Sequence, residues 1–409
     1  MRHFQRKKAI RITAGLLALL LAASVPMSAF AAQQEDKTQT EEKLARLTDN
    51  TIEYDELFDL IKNFYGLVKS GYDTIASMKS DTEAIALEMR ISADDMLDQA
   101  DDLTDMKHDN PQLGAILNQS IAQVKAGVKA LRKQAKSTED GLKSFDYQNK
   151  TIDRQVNSIV QSLETLINTY YQTLANREMA QKGVELAQAA KQMQDTMLVQ
   201  GMAVDSSILS AAASLSSAKQ QLATLDAGLE TLRENIFLLT GYGPDAQSVQ
   251  IGAVPKADLS LIDAMDVNAD KEKAAINNYA LISLRAQKGG ATLSEVEEQL
   301  VKSTTLKRNK IRNVEYGEAQ IKADVQTLYD TVLEKKAEYE AAQTAWASAQ
   351  ISWNGAQVQR SGGMLSDIQY RQLELAYLQA KATMECADLA LQQAICNYQW
   401  EIKGVSVSV

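Results

Sequence analysis

Residues 201–236 read GMAVDSSILSAAASLSSAKQQLATLDAGLETLRENI, and residues 363–398 read GMLSDIQYRQLELAYLQAKATMECADLALQQAICNY. Both stretches begin Gly-Met and carry an aspartate at the fifth position. Neither contains proline, and both are rich in alanine, leucine and glutamine, which favour helix. These two stretches decide the fold, because their apolar residues follow one and the same spacing.

Apolar residues and alanines recur in both stretches at alternating steps of three and four. The first set is Ile208, Ala211, Leu215, Ala218, Leu222, Leu225, Leu229, Leu232 and Ile236. The second set is Tyr370, Leu373, Tyr377, Ala380, Met384, Ala387, Leu391, Ala394 and Tyr398, each 162 residues after its counterpart. An average step of 3.5 residues is the period of left-handed coiled coils. The sequence therefore predicts two copies of one long, coiled-coil-forming helix.

Each predicted helix follows a glycine that ends another helical segment. We expect a helix from about Thr151 to turn at Gly201, and a helix from about Glu318 to turn at Gly363. Short polar side chains just after each glycine can cap the returning helix. The candidates for that cap are Asp205 or Ser206 in the first copy and Ser366 or Asp367 in the second. Each copy thus predicts a long antiparallel hairpin.

Proline and glycine mark the division between the copies. After residue 31, prolines occur only at Pro111, Pro244 and Pro255, and the last two lie in a glycine-containing break. The predicted fold class is all-α, with two tandem repeats of long antiparallel hairpins and little or no β-structure. The predicted organisation is a signal peptide (1–31), a polar segment (32–50), a first helical repeat (51–241), a linker (242–265), a second helical repeat (266–404) and a tail (405–409).

The N-terminal residues have the zones of a secretory signal. A basic segment over 1–11 precedes an apolar run over 12–26, and Ala29-Phe30-Ala31 predicts cleavage after Ala31. We therefore expect an exported protein of the cell envelope, without a transmembrane helix. Cys386 and Cys396 lie ten residues apart on one predicted helix, roughly 15 Å, which is too far for a disulfide.

Composition argues against catalysis and against nucleic-acid binding. Only two histidines occur, and 53 acidic residues outnumber 43 basic ones, giving a net charge of −10. Such an acidic chain is a poor partner for phosphate backbones. No phosphate-binding loop, paired-cysteine motif or nucleophile elbow is present in the sequence. We predict no enzyme activity, no cofactor and no metal site.

Several stretches resemble the TolC outer-membrane efflux protein family. The segments ending at Gly241 and Gly404 resemble the ends of that family's two repeats. Residues 274–281, AAINNYAL, resemble the opening of its second repeat, where a proline commonly replaces Tyr279. The matching stretches cover about 170–241 and 265–409. For the first repeat two openings remain, one at Ile52 and one at Asn110, of which we favour Ile52 because fewer residues stay unassigned.

The resemblance implies a homotrimer whose helices form a hollow α-barrel. It also implies that the hairpin tips dock a periplasmic adaptor protein that is coupled to an inner-membrane pump. The corresponding tip residues here are Gly201, Met202, Gly363 and Met364. Only the glycines match the family's usual Val-Gly-Leu tip, so docking is implied by architecture rather than by side-chain identity.

The sequence departs from the family where membrane strands are expected. Residues of about 100–150 and 295–320 lack the alternation of apolar and polar side chains that such strands need. A relative without these strands is therefore expected. At the start of the first region and just before it, six aspartates recur at helical spacing and predict a solvated outer face. They are Asp94, Asp95, Asp98, Asp101, Asp102 and Asp105.

Two functions from different classes remain after these observations. The favoured one is an exported, trimeric efflux or secretion conduit that docks an adaptor and an inner-membrane pump. The alternative is a structural or scaffolding coiled-coil protein of the cell envelope, without transport activity.

Overall fold

The structure, a computed structural model, describes residues 44–202, 204–243, 246, 248–289 and 304–407. The predicted signal peptide and its cleavage site at Ala31 lie outside the described residues. The chain divides into two compact units at the bond between Thr51 and Ile52. In the first unit, residues 44–47 are helical and the Thr51 N–H donates to the Asp49 carboxylate.

Long helices dominate the second unit. In its described part they are α1 (Leu57–Phe64), α2 (Gly66–Asp109), α3 (Gly114–Gly141), α4 (Lys143–Val199), α5 (Asp205–Thr240), α6 (Leu259–Asp263), α7 (Val267–Asn277), α8 (Tyr279–Gly289), α9 (Thr304–Ser361) and α10 (Asp367–Lys403). The only strands of the described residues, β1 (Thr51–Ile52) and β2 (Gln250–Ile251), pair with each other. The predicted all-α fold with little β-structure is confirmed.

Four helices form one layer in the order α5, α4, α10, α9. Helix α4 packs against α5 and α10, and α10 packs against α9. Helices α4 and α10 are antiparallel, because Glu164 meets Trp400 near one end while Glu185 meets Arg371 near the other. The turns at Gly201 and Gly363 therefore lie at the same end of the layer. Helices α4 and α9 are roughly 85 Å long.

Burial along α5 follows the spacing predicted from the sequence. All nine predicted positions from Ile208 to Ile236 are half-buried or buried, because they face α4. On α10 eight of the nine positions are half-buried or buried, and Leu373 is the exception. Both outgoing helices begin earlier than predicted, at Lys143 and at Thr304, since no helix-breaking residue interrupts the chain upstream.

The ends of α5 and α10 are closed in the same way. Gly241 and Gly404 have φ values of 83° and 101°, in the left-handed region that favours glycine. A methyl group on Gly241 would lie 2.7 Å from the Phe64 carbonyl oxygen, and one on Gly404 would lie 2.2 Å from the Asn277 carbonyl oxygen. Phe64 ends α1 and Asn277 ends α7, so a short helix abuts each return helix at the same point.

Helices α2 and α3 form a further hairpin that turns at the 3-10 segment Pro111–Leu113. Helix α2 runs antiparallel to α3 and to the start of α4, because Lys79 pairs with Asp146 of α4 and Arg90 pairs with Glu139 of α3. Its turn therefore points away from the glycine turns. Alanines let the two helices approach closely; those fully or almost fully buried are Ala86, Ala93, Ala100 and Ala135.

This hairpin includes residues 100–150, where the family resemblance would place membrane strands. Residues 100–150 are helical apart from the turn after Asp109 and the bend at Leu142, and residues 304–320 are helical as well. Residues 295–303 lie outside the described residues. None of the described helices combines the length and the hydropathy that a membrane-spanning segment needs.

Candidate docking tips

The two glycine turns have the same backbone geometry. Gly201 and Gly363 have φ values of 73° and 72°. At the first turn the Met202 N–H donates to the Met197 carbonyl at 2.8 Å, and the Gly201 N–H donates to the Leu198 carbonyl. The second turn repeats both bonds, from Met364 to the Gln359 carbonyl and from Gly363 to the Arg360 carbonyl. Each outgoing helix thus ends in a Schellman motif, which requires a left-handed residue at the glycine position.

The apolar side chains at these turns are largely exposed. Met202 and Met364 are 65% and 76% exposed, and Val199 beside the first turn is 89% exposed. A methyl group added to either turn glycine would meet nothing within 4 Å. Each tip therefore presents an apolar, polarizable side chain to its surroundings at the point where the chain reverses.

The returning helices begin differently. Ser366 caps α10: its hydroxyl oxygen accepts from the Gln369 N–H, and the Gln369 side chain accepts from the Ser366 N–H, which completes a capping box. The prediction that Ser366 or Asp367 caps this helix is confirmed. The prediction of Asp205 or Ser206 for α5 is wrong, because the capping position is Val204, whose side chain makes no capping hydrogen bond.

Arginines add to the second tip. Arg360 donates to the Leu365 carbonyl and the Asp367 carboxylate, both at 3.0 Å, and Arg371 donates to the other Asp367 oxygen at 2.8 Å. The hydrogen bond from Arg371 lowers the pKa of Asp367. Trp353 stacks on Tyr377 and lies 4.9 Å from the ring centre of Tyr370. The second tip is therefore held by side chains as well as by its backbone.

A polar ladder joins the two hairpins between α4 and α10. The Trp400 indole donates to Glu164 at 2.7 Å, Asn168 donates to Gln393 at 2.7 Å, and Lys381 pairs with Glu178 at 3.4 Å. Burial raises the pKa of Glu164, although the indole bond acts in the opposite direction. No sequence pattern indicated these pairs, because their members lie more than 200 residues apart.

A cleft of about 620 Å³ lies beside this ladder, under residues 253–256. Its lining includes Leu174, Tyr339 and Met384, and also charged residues that pair within the protein. Arg177 pairs with Asp226, and Lys381 pairs with Glu178 and Glu385. The cleft was not predicted, because the segment that covers it is remote in sequence.

The two cysteines lie in packed parts of the protein, and the aspartates predicted to be solvated lie on its surface. Cys386 is half-buried and Cys396 is buried, both are free thiols, and burial raises the pKa of Cys396 to about 11. The six aspartates of α2 from Asp94 to Asp105 are all exposed. In the described part of the chain, no cluster of three or more histidine, cysteine or carboxylate side chains could hold a metal ion.

Comparison with solved structures found several outer-membrane channels of low sequence identity. The chain is similar to TolC-family outer-membrane channels. The Campylobacter jejuni CmeC outer membrane channel is 17% identical, with a TM-score of 0.43 over 67% of this chain and 68% of that one. The Vibrio cholerae outer membrane protein VceC is 14% identical, with a TM-score of 0.38 over 65% of this chain and 75% of that one.

The open-state Neisseria gonorrhoeae MtrE outer membrane channel is also similar. It is 14% identical, with a TM-score of 0.36 over 67% of this chain and 72% of that one. No family model matches the sequence, and no curated protein matches it.

Proposed function

We propose that this chain is an exported, TolC-like subunit of an efflux or secretion conduit in the cell envelope. Three copies would close a helical tube, and the tube would dock an adaptor protein coupled to an inner-membrane pump. The tube would belong to the outer membrane and periplasm, or to the cell surface where a cell has no outer membrane. The carrying observation is the four-helix layer, in which two like hairpins turn at one end.

The two outer helices of the layer support self-association. Helix α5 is roughly 54 Å long, yet only Ile236, Phe237 and Thr240 are buried on it. On the other edge, α9 exposes Ile351 and Val358 at more than two thirds of their surface. Long helices draw most of their stability from packing, so these two edges favour neighbours on both sides of the layer.

The tips support docking at the closed ends of the hairpins. Both turns lie at the same end of the layer, and each exposes a methionine. A flexible, polarizable methionine side chain can adapt to the surface of a partner protein. The adaptor would therefore contact Met202 and Met364, with Gly201 and Gly363 fixing the backbone beneath them.

The test combines sizing with adaptor capture on the full chain. Sedimentation should give a trimer, and an adaptor encoded next to the gene should be retained on the immobilised protein. The pair Met202→Asp and Met364→Asp should reduce retention at least tenfold without changing the oligomer. Leu87→Asp, at an exposed apolar residue of α2 far from the tips, is the matched control and should retain the adaptor.

Two results would contradict the proposal in different ways. A monomer or dimer would favour the structural coiled-coil alternative. A trimer whose adaptor retention is unaffected by the paired tip variant would leave a conduit that does not dock through these turns.

A further inference from the structure

The α2–α3 hairpin is strongly asymmetric in charge. Helix α2 carries eleven acidic residues against four basic ones, whereas α3 carries five basic residues against two acidic ones. Between residues 91 and 106 every charged residue is an aspartate, and between 114 and 137 every charged residue is a lysine or arginine. One arm of the hairpin is thus acidic where the other arm is basic.

Each arm arranges these charges in a stripe with steps of four and three residues. The stripe on α2 is Ile91, Asp95, Asp98, Asp102 and Asp105. The stripe on α3 is Ala122, Ala126, Lys129, Lys133 and Lys136. This spacing keeps each set on one helix face, and it is the spacing by which long helices pack side by side. All ten residues are exposed.

The two stripes lie on the outer edges of the hairpin, not in its seam. The seam residues Ala93 and Ala100 each precede a stripe residue by two positions, and a step of two residues turns a helix by roughly 200°. On α3, buried Val128 and Ala135 follow the stripe residues Ala126 and Lys133 by two positions, so they too lie on roughly the opposite face. The acidic edge and the basic edge therefore face in different directions.

Both stripes lie at the same level along the hairpin. Arg132 of α3 pairs with Asp94 of α2 at 2.9 Å, and Met96 of α2 lies over Gly127 of α3. Asp98 is consequently level with Lys129. Apart from Arg132, the basic residues of α3 form no ion pair in the described chain, nor do the four aspartates of the α2 stripe.

We propose that the acidic edge of α2 binds the basic edge of α3 in a second copy of this chain. Copies related by rotation about an axis parallel to the hairpin would bring unlike charges together at every contact. The contact joins two different surfaces, so it repeats from copy to copy, and it forms a ring when the rotation between copies closes. Because α2 and α3 are antiparallel, Ala122 and Ala126 lie at the level of the Asp102–Asp105 end of the α2 stripe, where their small side chains leave room for the α2 backbone.

This interface goes beyond the proposed conduit, because the hairpin lies outside the four-helix layer. It supplies contacts that do not involve the edges of α5 and α9. Because exposed charges are screened by salt, the contact should weaken as ionic strength rises.

Disulfide trapping tests the contact directly in the full chain. In a Cys386→Ala, Cys396→Ala background, Asp98→Cys together with Lys129→Cys places thiols on opposite edges of one hairpin. Oxidation should then link copies into covalent species larger than a dimer. The two single-cysteine variants are the controls, since one thiol per chain can give dimers at most.

Charge reversal tests whether attraction between the acidic and the basic edge holds the contact together. Asp95→Lys with Asp102→Lys, or Lys133→Glu with Lys136→Glu, should each lower the yield of trapped species at least tenfold in the double-cysteine protein. Combining all four changes should restore it. Circular dichroism should show unchanged helix content in each variant, so that a lost contact is not mistaken for an unfolded hairpin.

Three outcomes would overturn the inference. If the chain sediments as a trimer but trapping gives nothing larger than a dimer, the hairpin contact is excluded. The proposed conduit is not affected by that result. A combined variant that fails to recover would exclude charge pairing as its basis. A monomeric chain would remove both this interface and the proposed trimer.

Discussion

Helices α5 and α10 are two copies of one sequence pattern, yet they are buried to different extents. They contain 36 and 37 residues, follow the same spacing and end at left-handed glycines. On α5 three residues are buried; on α10 eight are. Helix α10 lies inside the layer with α4 and α9 on its two sides, while α5 lies at the edge against α4 and the short α1.

The difference shows that the spacing specifies one packed stripe and leaves the remaining surface open. Inside the layer, α10 carries further buried residues, including Cys396 and Trp400, which contact Tyr54 and Glu164 rather than its hairpin partner α9. At the same positions relative to the repeat, α5 has Glu234 and Leu238, and both are exposed. The edge helix therefore leaves more of its surface exposed in the single chain.

The largest expected effect concerns equivalent leucines. Leu391 of α10 is 0% exposed, and Leu229, 162 residues earlier, is half-buried on α5. Leu391→Ala should lower the free energy of unfolding by about 2–5 kcal/mol, because it opens a cavity. Leu229→Ala should cost about 1 kcal/mol, since solvent already reaches that site. Urea denaturation of both variants at one protein concentration measures the gap.

Equal losses at the two leucines would contradict this account. They would mean that α5 is as fully covered as α10 under the conditions of the measurement. Dilution then separates the explanations, because cover supplied by other copies depends on protein concentration.

An intermediate effect is expected from pH. Glu401 of α10 is buried, and burial raises its pKa to about 7, whereas Leu239 stands at the equivalent position of α5. An unfolded glutamate has a pKa of about 4.3. The folded chain therefore binds more protons than the unfolded chain between these values, so stability should fall as pH rises from 5 to 8.

Glu401→Gln isolates this contribution from those of other buried carboxyl groups. The variant should lose less stability than the parent between pH 5 and pH 8, as measured by urea midpoints. An identical pH dependence in both proteins would show that Glu401 titrates normally in the folded chain.

The smallest expected effect concerns the starts of the two helices. Ser366→Ala removes the capping box of α10 and should cost about 1 kcal/mol. At the equivalent position of α5, Val204→Ser supplies a hydroxyl to an uncapped first turn and should add roughly 0.5–1 kcal/mol. Thermal melts of the two variants should shift in opposite directions. A shift in the same direction would indicate that the two starts are not equivalent.

The sequence predicted both hairpins well, for a local reason. Helix period, glycine turns and capping residues act within a few residues of one another, so the spacing after Gly201 and Gly363 predicted α5 and α10 nearly residue by residue. The prediction of the α5 cap was wrong because Asp205, a suitable capping residue, is already the first residue of the helix. The opening of the first repeat stays a prediction; the matching contacts of Phe64 with Gly241 and of Asn277 with Gly404 favour the opening at Ile52.

The sequence predicted the α2–α3 hairpin only in part. Its aspartates correctly predicted an exposed helical face, and the missing strand alternation correctly predicted that residues 100–150 do not form strands. Its length and its partner were not predicted, since pairing of α2 with α3 and α4 depends on contacts such as that of Lys79 with Asp146, 67 positions apart. The close packing at its alanines likewise depends on which faces meet.

By itself, the sequence determined the helices, their turns and the doubling of the hairpin, because backbone propensity and side-chain period are properties of short segments. Only the tertiary structure decided that α10 lies inside the layer and α5 at its edge. That choice depends on which flank of α4 meets Trp400 and Gln393, and such a choice is made by side chains more than 200 residues apart.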